Sequence, residues 1–144
     1  MYKRILLALD TSPEAEQLMI KAKELSQLYQ AHVYAINVVE PVIVETTFDL
    51  TPVLDADLDA SLVERAKSFI SHLQSHVGIT IDEVLVPVGS TRHEIHEAAK
   101  KLSSDLIIIG SHGRHGIGLM LGSTANSVLH GAPCDVLSVR ITKN

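Results

Sequence analysis

The chain is poor in the residues that mark several large functional classes. It has one cysteine, Cys134, so no internal disulfide framework can form and a reducing compartment is expected. It has no tryptophan, two phenylalanines and three tyrosines, and its 12 Lys and Arg are outnumbered by 17 Asp and Glu, for a net charge of −5. General nucleic-acid binding draws on a basic face with stacking aromatics, and attachment to an anionic membrane draws on a basic run; the sequence offers neither. No apolar stretch approaches the roughly 18 residues of a membrane span. The opening MYKRILLALD holds too short an apolar run for a signal peptide and leads straight into strand-like sequence. The expectation is a soluble cytoplasmic protein that binds neither nucleic acid nor membrane.

What is present is an alternation. The 144 residues suit one domain, residues 1–144, with a core that hides roughly 68–70% of the unfolded surface. Ile5 to Leu9 reads as a buried strand ended by Asp10. Ser12 and Pro13 then look like an N-cap and first helical residue, followed by Glu14 and Glu16 in a first turn. Leu18, Ala22, Leu25 and Leu28 form the apolar stripe of that helix. Val33 to Val39 is a second strand, Leu58 to Leu73 a second helix, Val84 to Val88 a third strand stopped by Gly89, and Ile95 to Leu102 a third helix. Leu106 to Ile109 is a fourth strand, a helix follows Gly122, and Val136 to Ile141 is a last strand after Gly131-Ala132-Pro133. Strand and helix in strict alternation predict an α/β fold with a parallel sheet and helices on both faces. The stretch from Pro41 to Asp55 breaks the pattern, and its length predicts a flap or loop.

The segment from Asp105 to Thr124, DLIIIGSHGRHGIGLMLGST, carries the most chemistry. An uninterrupted apolar strand runs into a loop with glycines at 110, 113, 116, 118 and 122, and Gly122-Ser123-Thr124 opens a helix before Ala125 and Val128. Free N–H groups at a helix start and the dipole behind them attract an anion, and glycine lets backbone approach it closely. A phosphate cradle, most simply for a nucleotide, is the reading. Ligands of open α/β sheets sit beyond the carboxyl ends of the strands, and Asp10, Val38 to Glu40, Gly89 and Gly110 all fall there.

Each of these residues has a plainer alternative. Asp10 is either a helix cap or a ligand contact, and Gly89 either a turn residue or a ligand contact. His112, Arg114 and His115 are placed for charge-assisted bonds to phosphate, while Arg114 and His115 also fit an exposed loop tip. The segment is not a Walker A loop, since no lysine precedes Ser123, and Gly116-x-Gly118 follows the wrong strand for a dinucleotide fingerprint. A receiver domain is set aside because Val88-Gly89 stands where its phosphorylatable Asp would be. The pairs His72/His76 and His93/His96 read as solvated surface residues, so no metal site is expected. Cys134 reads as a small buried hydrophobe.

With these residues in place, the chain resembles the universal stress protein family. Nucleotide-binding members carry G-x-x-G, a spacer commonly of nine residues, then G-S/T. Here Gly110-Ser111-His112-Gly113 is followed, after the eight residues Arg114 to Leu121, by Gly122-Ser123. The opening Tyr2 to Leu6 with Asp10, and the ending Ala132 to Arg140, resemble the family as well. The resemblance covers essentially the whole chain. It implies a five-stranded parallel sheet in the order 3-2-1-4-5 that binds ATP, ADP or AMP. Carried over by position, Ala8 and Asp10 line the adenosine pocket and Val38 meets adenine through its backbone. Gly110, His112 and Gly113 lie near ribose and α-phosphate, Ser111 is a further nucleotide-binding residue of the same loop, and Gly122, Ser123 and Thr124 hold phosphate. The shorter spacer leaves the choice among the three nucleotides open. The family also implies a homodimer through the last strand, Val136 to Ile141.

The function implied is a cytoplasmic stress-response protein that acts by binding an adenine nucleotide. Two alternatives stand beside it. One is a slow ATPase or phosphotransferase using Mg²⁺, with Asp10 as metal ligand and His112 or Arg114 stabilising charge. The other is a ligand-free interaction module for an unknown protein partner.

Overall fold

Apolar runs without a polar break become the middle of a sheet. The computed structural model describes residues 1–41, 43–45, 52–54, 56–111 and 122–142. In chain order its elements are β1 (Arg4–Ala8), α1 (Ala15–Tyr29), β2 (His32–Ile36), β3 (Ile43–Glu45), β4 (Pro52–Leu54), α2 (Ala56–Val77), β5 (Glu83–Leu85), α3 (Thr91–Lys101), β6 (Leu106–Gly110), α4 (Ser123–Leu129) and β7 (Asp135–Val139). Five strands form one parallel sheet in the order β5-β2-β1-β6-β7. Counting only its members along the chain, that order is the expected 3-2-1-4-5.

Side chains alternate across the pleat and divide the core into two layers. Ile5, Leu7, Val33, Ala35 and Ile108 face one layer with Leu18 and Met19 of α1 and Phe69 and Ile70 of α2. Leu6, Ile36, Ile107 and Ile109 face the other with Ile95 and Ala99 of α3 and Ala125 and Val128 of α4. Both faces of β1 and β6 are therefore buried, which is why their sequence shows no polar alternation. Among the described residues no helix is long and apolar enough to cross a membrane.

Several local expectations are corrected. The first helix begins at Ala15, not after Ser12: the Ala15 N–H donates to the Ser12 carbonyl in a turn that precedes the helix. The Ser12 hydroxyl is unavailable as a cap because it donates to Asp10 Oδ1 at 2.5 Å. Leu28 is 72% exposed. Ten residues beyond Leu18 it has rotated roughly 80° from that side chain at 3.6 residues per turn, off the buried stripe. The last strand is Asp135–Val139, so Arg140 and Ile141 lie beyond it, and Ile141 folds back into the core. Within the irregular stretch, β3 and β4 pair as an antiparallel ribbon with Val44 opposite Val53. The β-branched residues favour extended backbone, and Pro52 is tolerated because it opens its strand.

His96 is also corrected, from surface to core. It is 8% exposed, and its Nε2 lies 2.8 Å from the Val128 carbonyl. A carbonyl can only accept, so Nε2 carries the proton. One turn earlier on α3, Arg92 Nη2 donates to the His130 carbonyl at 3.1 Å. Two donors of α3 thus satisfy carbonyls at the end of α4, where a helix leaves acceptors unpaired.

The end of α1 carries a testable strain. Gln30 sits in the left-handed region, φ 53° and ψ 47°, where a Cβ is unfavourable. Gln30→Gly is expected to raise the unfolding free energy by about 0.5–1 kcal/mol, since glycine is the usual residue at this cap. A thermal midpoint that falls in this variant would contradict the account.

Candidate functional site

The site begins where two ladders stop early. Beyond Ile36, the Leu9 N–H still donates to the Ile36 carbonyl at 2.9 Å, and the next bond of a parallel ladder would run from the Val38 N–H to the Leu9 carbonyl. The Asn37 side chain takes that acceptor instead, with Nδ2 donating to it at 2.7 Å. On the other side, Asn37 N–H donates to Leu85 and Val39 N–H to Pro87. The donor between them would belong to residue 87, and proline has none. The second and third strands therefore end earlier than their apolar runs suggest, leaving only an isolated bridge from Val39 to Val88. Among the described residues, the N–H and C=O of Val38 have no hydrogen-bond partner.

A cavity of about 250 Å³ lies over these strand ends. Ala8, Leu9 and Asp10 come to it from β1, Ile36, Asn37 and Val38 from β2, and Ile109 and Gly110 from β6. Thr91 and Ile95 of α3, Thr124 of α4, Ala15 and Leu18 of α1, and Ile141 complete much of the wall. A second cavity of about 480 Å³ adjoins it on the side of α2 and shares Asp10, Asn37 and Val38; Leu62, Arg65, Ala66 and Phe69 supply its far wall. Apolar walls with a few polar groups are what a flat ring with a hydrogen-bonding edge requires.

Five of the expected residues meet in the first cavity: Ala8, Asp10, Val38, Gly110 and Thr124. Asp10 does not cap α1. Its Oδ1 accepts from the Ser12 N–H at 3.1 Å and from the Ser12 hydroxyl, a local turn that pins the carboxylate at the rim. Ser111 follows Gly110, with its N–H on the Val139 carbonyl and its hydroxyl oxygen sealed from solvent, without a partner among the described residues. Gly122 and Ser123 adjoin Thr124, and the Gly122 N–H donates to the Ser111 carbonyl, which ties the start of α4 to the end of β6.

Gly89 is not among the lining residues. Its N–H closes the bridge to Val39, and a Cβ there would stand 2.7 Å from Glu94 Oε1, the end of a flexible side chain that can swing away. His112, Gly113, Arg114 and His115 lie outside the described residues.

Asn37 was missed by the sequence reading, along with Thr91 and Ile141. The signal for Asn37 was a single polar residue inside VYAINVV. Burial raises the Cys134 pKa, with Asp135 and Asp105 adding to the effect, so the half-buried thiol stays protonated and is a poor nucleophile. It packs against the α3–α4 layer, in keeping with an apolar role.

Comparison with known proteins matches this geometry to a family. The universal stress protein family profile matches residues 1–140. Universal stress protein A homolog 2 of Coxiella burnetii is 45% identical over 143 residues, covering 97% of this chain and 96% of the relative. Universal stress protein UspA from Lactobacillus plantarum has a solved structure with a TM-score of 0.78 at 27% identity, covering 98% of each chain. A universal stress protein solved in complex with cAMP shares the fold, with a TM-score of 0.68 at 20% identity and 98% coverage of each chain. A profile match along nearly the whole length, a relative at this identity and the shared sheet order place the chain in the universal stress protein family.

Proposed function

We propose that this protein binds an adenine nucleotide, ATP, ADP or AMP, in the cleft over the carboxyl ends of β2, β1 and β6, and that it serves stress tolerance by binding rather than turnover. The observation that carries the proposal is convergence: Ala8, Asp10, Val38, Gly110 and Thr124, drawn from four separate elements and their ends, line one cavity. The free backbone N–H and C=O of Val38 offer one donor and one acceptor in a row, which matches N1 and the exocyclic amine of adenine. Ala8 and Asp10 then flank the adenosine. Gly110, Ser111, His112 and Gly113 approach ribose and α-phosphate, with Arg114 and His115 beyond them. Gly122, Ser123 and Thr124 receive phosphate. The cAMP complex of a distant relative is in keeping with this reading.

We also propose a cytoplasmic homodimer joined along β7. That strand pairs on one side only, with β6, and an edge strand needs cover.

Denaturing the purified protein and identifying any released nucleotide by chromatography and mass tests the proposal. Near-stoichiometric adenine nucleotide is the expected result. No released nucleotide, together with no thermal stabilisation by added ATP, ADP or AMP, would overturn it.

A further inference from the structure

Asn37 stands out as a buried polar side chain whose acceptor end is unused. It is 9% exposed and lies between the two cavities, lining both. Its Nδ2 is committed to the Leu9 carbonyl at 2.7 Å. That bond also decides which end of the carboxamide is which, because only the NH₂ end can face a carbonyl. The other end, Oδ1, is a pure acceptor. It has no partner among the described residues. Nor is it one of the sealed orphan oxygens, which are Ser104 Oγ and Ser111 Oγ. An oxygen that is neither bonded nor sealed, on a residue walling two cavities, is open to what enters them.

The same side chain creates the opening it borders. By taking the Leu9 carbonyl, Asn37 displaces the Val38 N–H from the ladder and leaves that donor free. A ligand edge that meets Val38 therefore lies beside a fixed oxygen acceptor.

We infer that Asn37 is a specificity-determining residue, whose Oδ1 selects a purine bearing an amino group at C6 over one bearing a carbonyl there. This rests on the nucleotide reading above. The exocyclic amine of adenine has two N–H donors. One suits the Val38 carbonyl, and the second suits Asn37 Oδ1. Hypoxanthine and guanine place an oxygen at C6, which would face one or both of these acceptors with no proton between them. A site built to receive an N–H rejects the analogue that lacks it because its own polar groups are left unpaired.

The ligand series that tests this is AMP, IMP and purine riboside 5′-monophosphate, titrated by calorimetry into nucleotide-free full-length protein. Purine riboside carries only hydrogen at C6, so it removes the donor without adding an acceptor. The expected order of affinity is AMP, then purine riboside monophosphate, then IMP, with AMP ahead of IMP by roughly 100-fold. In Asn37→Ala the AMP-to-IMP ratio is expected to shrink by about 10-fold, the remainder being held by the Val38 carbonyl. An unchanged ratio in a folded variant would overturn the assignment. The variant also deprives the Leu9 carbonyl of its donor, so the wild-type series serves where the variant does not fold. Equal binding of all three ligands by wild type removes Asn37 from base selection while leaving nucleotide binding in place. Binding of none removes the nucleotide reading itself, and this inference with it.

Discussion

Ile108→Ala is expected to lower the unfolding free energy by about 3–4 kcal/mol while the fold is kept. Ile108 is fully buried on β6, between Leu7 of β1 and Leu137 of β7 in register. Its side chain fills the layer under α1 and α2. Truncation removes three carbons from contact with rigid strand neighbours on both sides, so the space cannot close by a small shift. That is the condition under which cavity and transfer terms add. Urea unfolding should show the midpoint falling with the slope unchanged. Leu28→Ala provides the comparison: that residue is mostly solvated, and its loss should move stability by less than about 0.5 kcal/mol. A similar midpoint for the two variants would mean that the burial pattern is wrong.

His96→Ala is expected to cost about 2–3 kcal/mol, with the damage concentrated in α4. That helix has only seven residues and no side-chain N-cap, so its own backbone bonds are few. His96 supplies a buried donor to the Val128 carbonyl and packs between α3 and α4. Alanine leaves both an unsatisfied acceptor and a void. Hydrogen exchange should show the α4 amides opening faster in the variant, while β1 and β6 stay protected against all but global unfolding. His96→Gln keeps an N–H donor on a side chain of comparable reach and should recover part of the loss. Uniform acceleration across every element would instead mark His96 as a general core residue.

The parts of this molecule that were legible in its sequence are those set by one segment at a time. Ile5 to Leu9 and Leu106 to Ile109 could only be strands buried on two faces, and alternation with helical stripes then implied a parallel sheet. Because such a sheet brings its carboxyl ends together, Asp10, Val38 and Gly110 could be assigned to one cleft from position alone. What escaped depends on partners distant in the chain. The apolar run through Val39 looked like continuous strand, yet Pro87 withholds a donor and the Asn37 carboxamide intercepts an acceptor. His96 was read by its spacing from His93, whereas its burial follows from lying three residues before Ala99, on the side of α3 that meets α4. Ser12 had the composition of a cap, but a carboxylate two residues earlier had already claimed its hydroxyl. The Ile43–Glu45 and Pro52–Leu54 ribbon was hidden by the acids and prolines around it.

The two borders of the sheet are not alike. β5 contributes three residues, starts with an exposed glutamate and runs toward Pro87, a combination that discourages another strand from docking. β7 offers five residues without a proline. Association by strand pairing is therefore one-sided. Two copies that met along β7 would leave, of the five-stranded sheet, their blunted β5 borders facing outward, so pairing through that sheet would be capped at two copies instead of growing into a ribbon.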